Sequence, residues 1–109
     1  MKLYRHMIAT LESAVMGETL KRLLKSEMAL KGVDYRALSA RLQELGIHQS
    51  EANLRMKISR GTLGASLFVS IMLALGVRQI DMARVEECLN EVAQNASAGV
   101  AHQAQRPAV

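Results

Sequence analysis

The sequence predicts an all-α fold, a compact bundle of about five short helices. Three observations lead there. The apolar half of the composition is Leu, Ala, Val, Ile and seven Met, with aromatics at only 3%. Leu, Ala and Met favour helices, whereas aromatic and β-branched residues favour strands. The single proline is Pro107, so no earlier residue interrupts a helix by lacking a donor. Finally, apolar residues recur three and four apart between glycines, the pattern of amphipathic helices with stops. At 109 residues the chain has room for one domain and not two.

The elements follow in order. Residues 3–15 read as an N-terminal amphipathic helix, with Leu3, Met7, Ile8, Leu11 and Val15 on one side. Gly17 is expected to interrupt it, and Met16 offers an alternative start, so residues 1–17 stand apart from a helical domain over 18–94. Residues 19–31 form the next helix, on a stripe of Leu20, Leu23, Leu24 and Met28, ended by Gly32. Asp34 is a natural N-cap for a helix through Leu45, with Leu38, Leu42 and Leu45 inward and Gly46 as its stop. Ile47, in the short connection, is expected to plug the core.

Ser50 caps a helix over 51–60 with Leu54 and Ile58 on one side, and Gly61 ends it. Thr62 is expected to cap the following helix to about Leu75, built on Leu67, Ile71 and Leu75 with Phe68 and Met72 beside them. Asp81 starts a fifth helix to about Gln94, with Val85, Leu89 and Val92 on one face. Residues 95–109, rich in Ala, Gln and Gly and containing Pro107, read as a disordered tail.

Charge narrows the function. The net charge is +4, and residues 18–61 alone carry nine Lys/Arg against five Asp/Glu. A polyanion is the partner such a balance suits. Tyr4, Tyr35 and Phe68 are too few and scattered to stack single-stranded bases. One cysteine, Cys88, cannot form an internal disulfide, which fits a reducing cytoplasm. Glu12 breaks the apolar stretch that a secretory signal needs. The longest uncharged run, Gly61 to Val77, is 17 residues and contains three hydroxyl residues, short of a spanning helix.

Catalytic signals are absent. His6, His48, His102 and Cys88 lack metal-ligand spacing. Cys88, beside Glu87, lacks the cationic surroundings of a nucleophilic thiolate. Glu86, Glu87 and Glu91 read as a solvated helix face, and Gly61-x-x-Gly64 as helix-terminal glycines rather than a phosphate clamp. Neither an enzyme, a cofactor nor a metal is expected.

The informative unit is the pair of helices around Gly46. Two short helices joined by a tight Gly-containing turn form a helix-turn-helix pattern, here over 35–60, whose second helix enters the DNA major groove. With Leu54 and Ile58 inward, the helix over 51–60 turns out Ala52, Met56 and Arg60, flanked by Asn53, Lys57 and Ser59, with Arg55 intermediate. Arg can pair with guanine and Asn with adenine, and Lys and Ser suit phosphate oxygens. The candidate DNA-binding residues are therefore Ser50, Asn53, Arg55, Met56, Lys57, Ser59 and Arg60.

The run Asn53-Leu54-Arg55-Met56-Lys57-Ile58-Ser59-Arg60-Gly61, with the later Ala74-Leu75-Gly76-Val77, resembles a small bacterial family of domains of unknown function. Leu38, Leu42 and Gly46 also fit that family's pattern. The resemblance covers about residues 19–82 and implies no activity. More distantly, the helix order and the Ala-Leu-Gly-Val helix end resemble the Cro and lambda-repressor class of helix-turn-helix proteins. That resemblance implies a lambda-repressor-like core in which the helix from Ser50 to Arg60 reads DNA. Gln43, Glu44 and Leu45 stand as extra residues before Gly46, and Leu42 replaces the small residue usual in that class.

The expectation is a DNA-binding transcriptional regulator, acting in the cytoplasm on double-stranded DNA as a homodimer with no membrane contact. The fifth helix or the N-terminal one is the expected dimer surface. The alternatives are a protein-interaction module, antitoxin- or adaptor-like, and an all-helical RNA binder.

Overall fold

The computed structural model describes residues 13–105, with side chains over 14–95. Regular structure among them is all helical: α1 (Ser13–Lys31), α2 (Tyr35–Glu44), α3 (Glu51–Arg60), α4 (Ala65–Ala74) and α5 (Met82–Gln105). Most of the amphipathic helix expected over 3–15, and residues 106–109, lie outside the described residues. No helix among those described is long and apolar enough to cross a membrane.

α1 packs against both α5 and α3, and α2 against both α3 and α4. Leu23, Leu24 and Met28 of α1 meet Leu38 and Leu42 of α2, Leu54 and Ile58 of α3, and Ile71, Met72 and Leu75 at the end of α4. These are the stripes that the helical spacing picks out. Burying each such side chain stabilises the fold by about 1.5–3 kcal/mol. α5 docks separately on α1. Its Leu89 and Val92 are buried, and its Arg84 reaches Glu27 at 3.3 Å and the hydroxyl of Ser26. The apolar face of α5, expected to be available for a second copy, is thus used within the chain.

The helix ends are set by one repeated device. α1 to α4 are each followed by a glycine with positive φ: Gly32, Gly46, Gly61 and Gly76. The next N–H then returns to the carbonyl five residues back: Val33 to Met28, Ile47 to Leu42, Thr62 to Lys57 and Val77 to Met72, at 2.9–3.0 Å. This closes orphan carbonyls at each helix end and, at Val33, Ile47 and Val77, folds an apolar residue back on its own helix. Ile47 is half-buried against the core, as its position in the turn predicts.

Four expectations need correction. α1 runs unbroken through Gly17, because Gly17 is the point where two backbones touch. A Cβ built on Gly61 would overlap the Cα and carbonyl of Gly17, and one on Gly17 would lie 3.1 Å from the Arg60 carbonyl oxygen. Leu45 is 53% exposed rather than inward. It is the C-cap of α2, where the backbone leaves the helical screw. Thr62 does not cap α4. It completes the stop of α3, and Gly64 is the N-cap instead, with no side-chain hydrogen bond. Finally, α5 continues to Gln105, through residues read as a tail. Ala and Gln carry good helix propensity, and no proline intervenes before residue 107.

Candidate functional site

α3 is positioned by its two ends and by its inner face. At its start, the Ser50 hydroxyl accepts a hydrogen bond from the Asn53 N–H at 3.0 Å, the N-cap geometry that satisfies an orphan donor. The connection before it is tied to α2, since the Ser39 hydroxyl donates to the Gln49 carbonyl at 2.6 Å. The Asn53 amide donates to the Gln49 side-chain oxygen, also at 2.6 Å. At its end, Gly61 at φ 64° stops the helix and rests on Gly17 of α1. Between these ends Leu54 and Ile58 are fully buried. They fix the rotation of the helix, so the opposite face is fixed as well.

At about 100° per residue, Ala52, Met56 and Ser59 turn outward, with Arg60 beside them. All four are exposed, and Met56, at 43%, stands at the centre. Half-buried Lys57 and Asn53 lie on the Arg60 flank. Arg55 lies on the other flank with Glu51, which it meets at 3.1 Å. Its guanidinium sits 5.2 Å from the centroid of the Tyr35 ring, a cation–π distance. The cations of α3 are therefore split. Among the described residues, Lys57 and Arg60 make no ion pair, while Arg55 is engaged twice.

The seven sequence-predicted positions thus separate into two groups. Met56, Ser59 and Arg60 are exposed and Lys57 is half-buried beside them. Ser50 uses its hydroxyl on the helix cap, Asn53 uses its amide on Gln49, and Arg55 is held by Glu51 and Tyr35. Sequence reasoning missed Tyr35 and Gln49 as organisers of this surface. The Glu51–Arg55 pair was readable, since i, i+4 acid–base pairs face each other on a helix. The Tyr35 contact comes from the previous helix and leaves no local spacing signal.

Other chemistry is sparse. No group of three or more His, Cys, Asp or Glu residues able to hold a metal occurs among the described residues. His48 lines a shallow polar hollow with Ser39, Gln43, Gln49 and Ser50 at the α2–α3 connection.

Residues 17–80 match the model of a family described as a domain of unknown function, DUF6471. The match takes in α1 from the Gly17 contact onward and all of α2, α3 and α4, more than half of the chain. No curated protein and no solved structure matches the chain.

Proposed function

We propose, for a chain that belongs to the DUF6471 family of domains of unknown function, a DNA-binding role. In this reading α2 and α3 act as a helix-turn-helix, α3 enters the major groove, and the protein regulates transcription as a homodimer. The helix-turn-helix relationship and the use of the run 53–61 as its reading segment are part of the proposal.

The observation that carries it is the outward face of α3. It combines Met56 and Ala52, small or flexible apolar groups suited to a base edge, with Lys57, Ser59 and Arg60, suited to phosphate oxygens. Its one acid, Glu51, lies on the far flank against Arg55. Arg55 in this scheme contacts DNA by exchanging Glu51 for a phosphate or a guanine edge. Ser50 and Asn53 act by holding the start of the helix, through the cap and the Gln49 bond.

The test is fluorescence anisotropy of a labelled random-sequence duplex at about 50 and about 200 mM salt. Three phosphate contacts per protomer in a dimer give a slope of log K on log salt of about −5. Lys57→Ala and Arg60→Ala should each weaken binding and flatten that slope; Arg60→Ala, at an exposed position, should leave the melting temperature unchanged, whereas Lys57, expected to be exposed, is half-buried and its removal should lower the melting temperature slightly through lost packing of its stem. Absence of binding at the lower salt refutes the reading. Equal binding of duplex RNA also refutes it, since the major groove of RNA is too narrow for a helix.

A further inference from the structure

Arg55 is held from two sides, and the two holds differ in kind. Its Nη2 meets Glu51 Oε1 at 3.1 Å, in a pair whose side chains stay 57% and 46% exposed. Its guanidinium lies over the Tyr35 ring, 5.2 Å from the centroid. Tyr35 is the first residue of α2, directly after the Asp34 cap. Its side chain packs against the core. Its hydroxyl is buried without a hydrogen-bond partner among the described residues, so the ring and not the hydroxyl serves Arg55. The platform is anchored in the fold, whereas the carboxylate stands in solvent.

We propose that Arg55 is a contact to the DNA phosphate backbone, that Tyr35 positions it, and that Glu51 opposes it. The inference rests on the DNA-binding reading of α3 and narrows it, because Arg55 then meets a phosphate and not a guanine edge. Placement supports the phosphate. Arg55 is about 100° around the helix from Met56, which stands at the centre of the outward face, and it lies on the flank toward α2. In a helix-turn-helix the first helix crosses the phosphate backbone while the second lies in the groove. A side chain where the two helices meet is therefore at the wall of the groove. The two holds then act in opposite senses. A phosphate takes the guanidinium edge that Glu51 occupies, so the ion pair breaks and leaves a carboxylate facing an anion. The ring leaves that edge free and restricts the side chain beforehand, so less freedom is lost on binding.

Fluorescence anisotropy with two labelled duplexes, one of random sequence and one of A·T pairs only, tests this. Glu51→Gln should tighten binding to both about two- to fivefold. That gain should exceed the one from Glu86→Gln, which makes the same charge change at an exposed position of α5. Glu51 also lies in the first turn of α3, where a carboxylate complements the helix dipole. Its replacement should thus lower the melting temperature slightly while raising affinity, and a structural role does not give opposite signs. Tyr35→Leu should weaken binding about two- to fivefold, and Tyr35→Phe, which keeps the ring, should match the parent. In an Arg55→Ala background both effects should vanish: Tyr35→Leu changes nothing further, and Glu51→Gln gains no more than Glu86→Gln. Should Tyr35→Leu fail to fold, Glu51→Gln and Arg55→Ala, both at exposed positions, still decide. A Glu51→Gln variant that binds no tighter than Glu86→Gln overturns the inference and leaves DNA binding standing. So does a Tyr35→Leu loss that persists without Arg55. An Arg55→Ala loss confined to the random duplex also overturns it, because a guanine edge is then the contact. A parent that binds neither duplex removes DNA binding itself, and this inference with it.

Discussion

Gly61→Ala separates two costs that usually travel together. Gly61 has φ 64° and Gly46 has φ 82°, so an alanine at either is placed in the left-handed region. That costs about 1–2 kcal/mol. Reduced freedom of the unfolded chain returns about 0.4–1 kcal/mol in each case. The surroundings then differ. A Cβ at Gly46 meets nothing within 4 Å, whereas one at Gly61 overlaps the backbone of Gly17. Backbone cannot swing aside as a side chain does, so α1 or the end of α3 must shift. Overpacking of that kind costs about 1–3 kcal/mol more. Gly46→Ala should therefore lose about 1 kcal/mol and Gly61→Ala about 3 kcal/mol. Urea titration followed by circular dichroism reads both as shifts in midpoint at constant slope. On heating, each kcal/mol corresponds to about 4–8 °C in a domain of this size. Equal losses in the two variants would refute the close contact between α1 and α3.

Three further outcomes follow from particular side chains. Leu54→Ala should cost about 2–5 kcal/mol in the same titration, because Leu54 is fully buried under α3; a neutral result would mean that α3 is rotated. Tyr35→Phe should be neutral or stabilising by up to about 1 kcal/mol, since the Tyr35 hydroxyl is buried without a hydrogen-bond partner among the described residues. A loss of stability on thermal melting would count against that environment. Arg84→Ala should lower stability by about 1 kcal/mol and speed hydrogen exchange in α5, because Arg84 clasps Glu27 and Ser26 of α1. Unchanged exchange in α5 would remove the clasp.

Much of this fold could be read from local chemistry. Asp34 and Ser50 cap the helices that their side chains suggest, accepting from Ala37 at 2.8 Å and Asn53 at 3.0 Å. Asp81 likewise receives the Ala83 N–H just before α5. The inward faces of α2 and α3 followed from spacing alone at Leu38, Leu42, Leu54 and Ile58. What escaped was tertiary. Gly17 looks like a helix breaker until Gly61, far along the chain, is seen to rest its backbone directly on it. Thr62 looks like an N-cap, but the stop of α3 draws it back toward Lys57 and α4 starts only at Ala65, which leaves Gly64 in the cap position. The exposure of Val69 and Leu73 on α4 was hidden by the helix's own composition, since a helix apolar on all sides gives spacing little contrast to reveal which side faces inward. At the candidate site, the outward set on α3 was legible, while the engagement of Arg55 by Tyr35 was not.

The repeated helix stop has a kinetic consequence. At each of the four glycines, a residue folds back on a carbonyl five positions away, so each reversal closes a very short loop. Short closures lose little entropy, and folds dominated by such local contacts cross their barrier in microseconds to milliseconds. The turns from α1 to α4 should therefore form early and almost independently of one another. The docking of α5 on α1 is different, because Arg84 and Glu27 are 57 residues apart. It closes the longest loop in this description and should form after the rate-limiting step. Mutations in that clasp should then accelerate unfolding and leave refolding nearly unchanged.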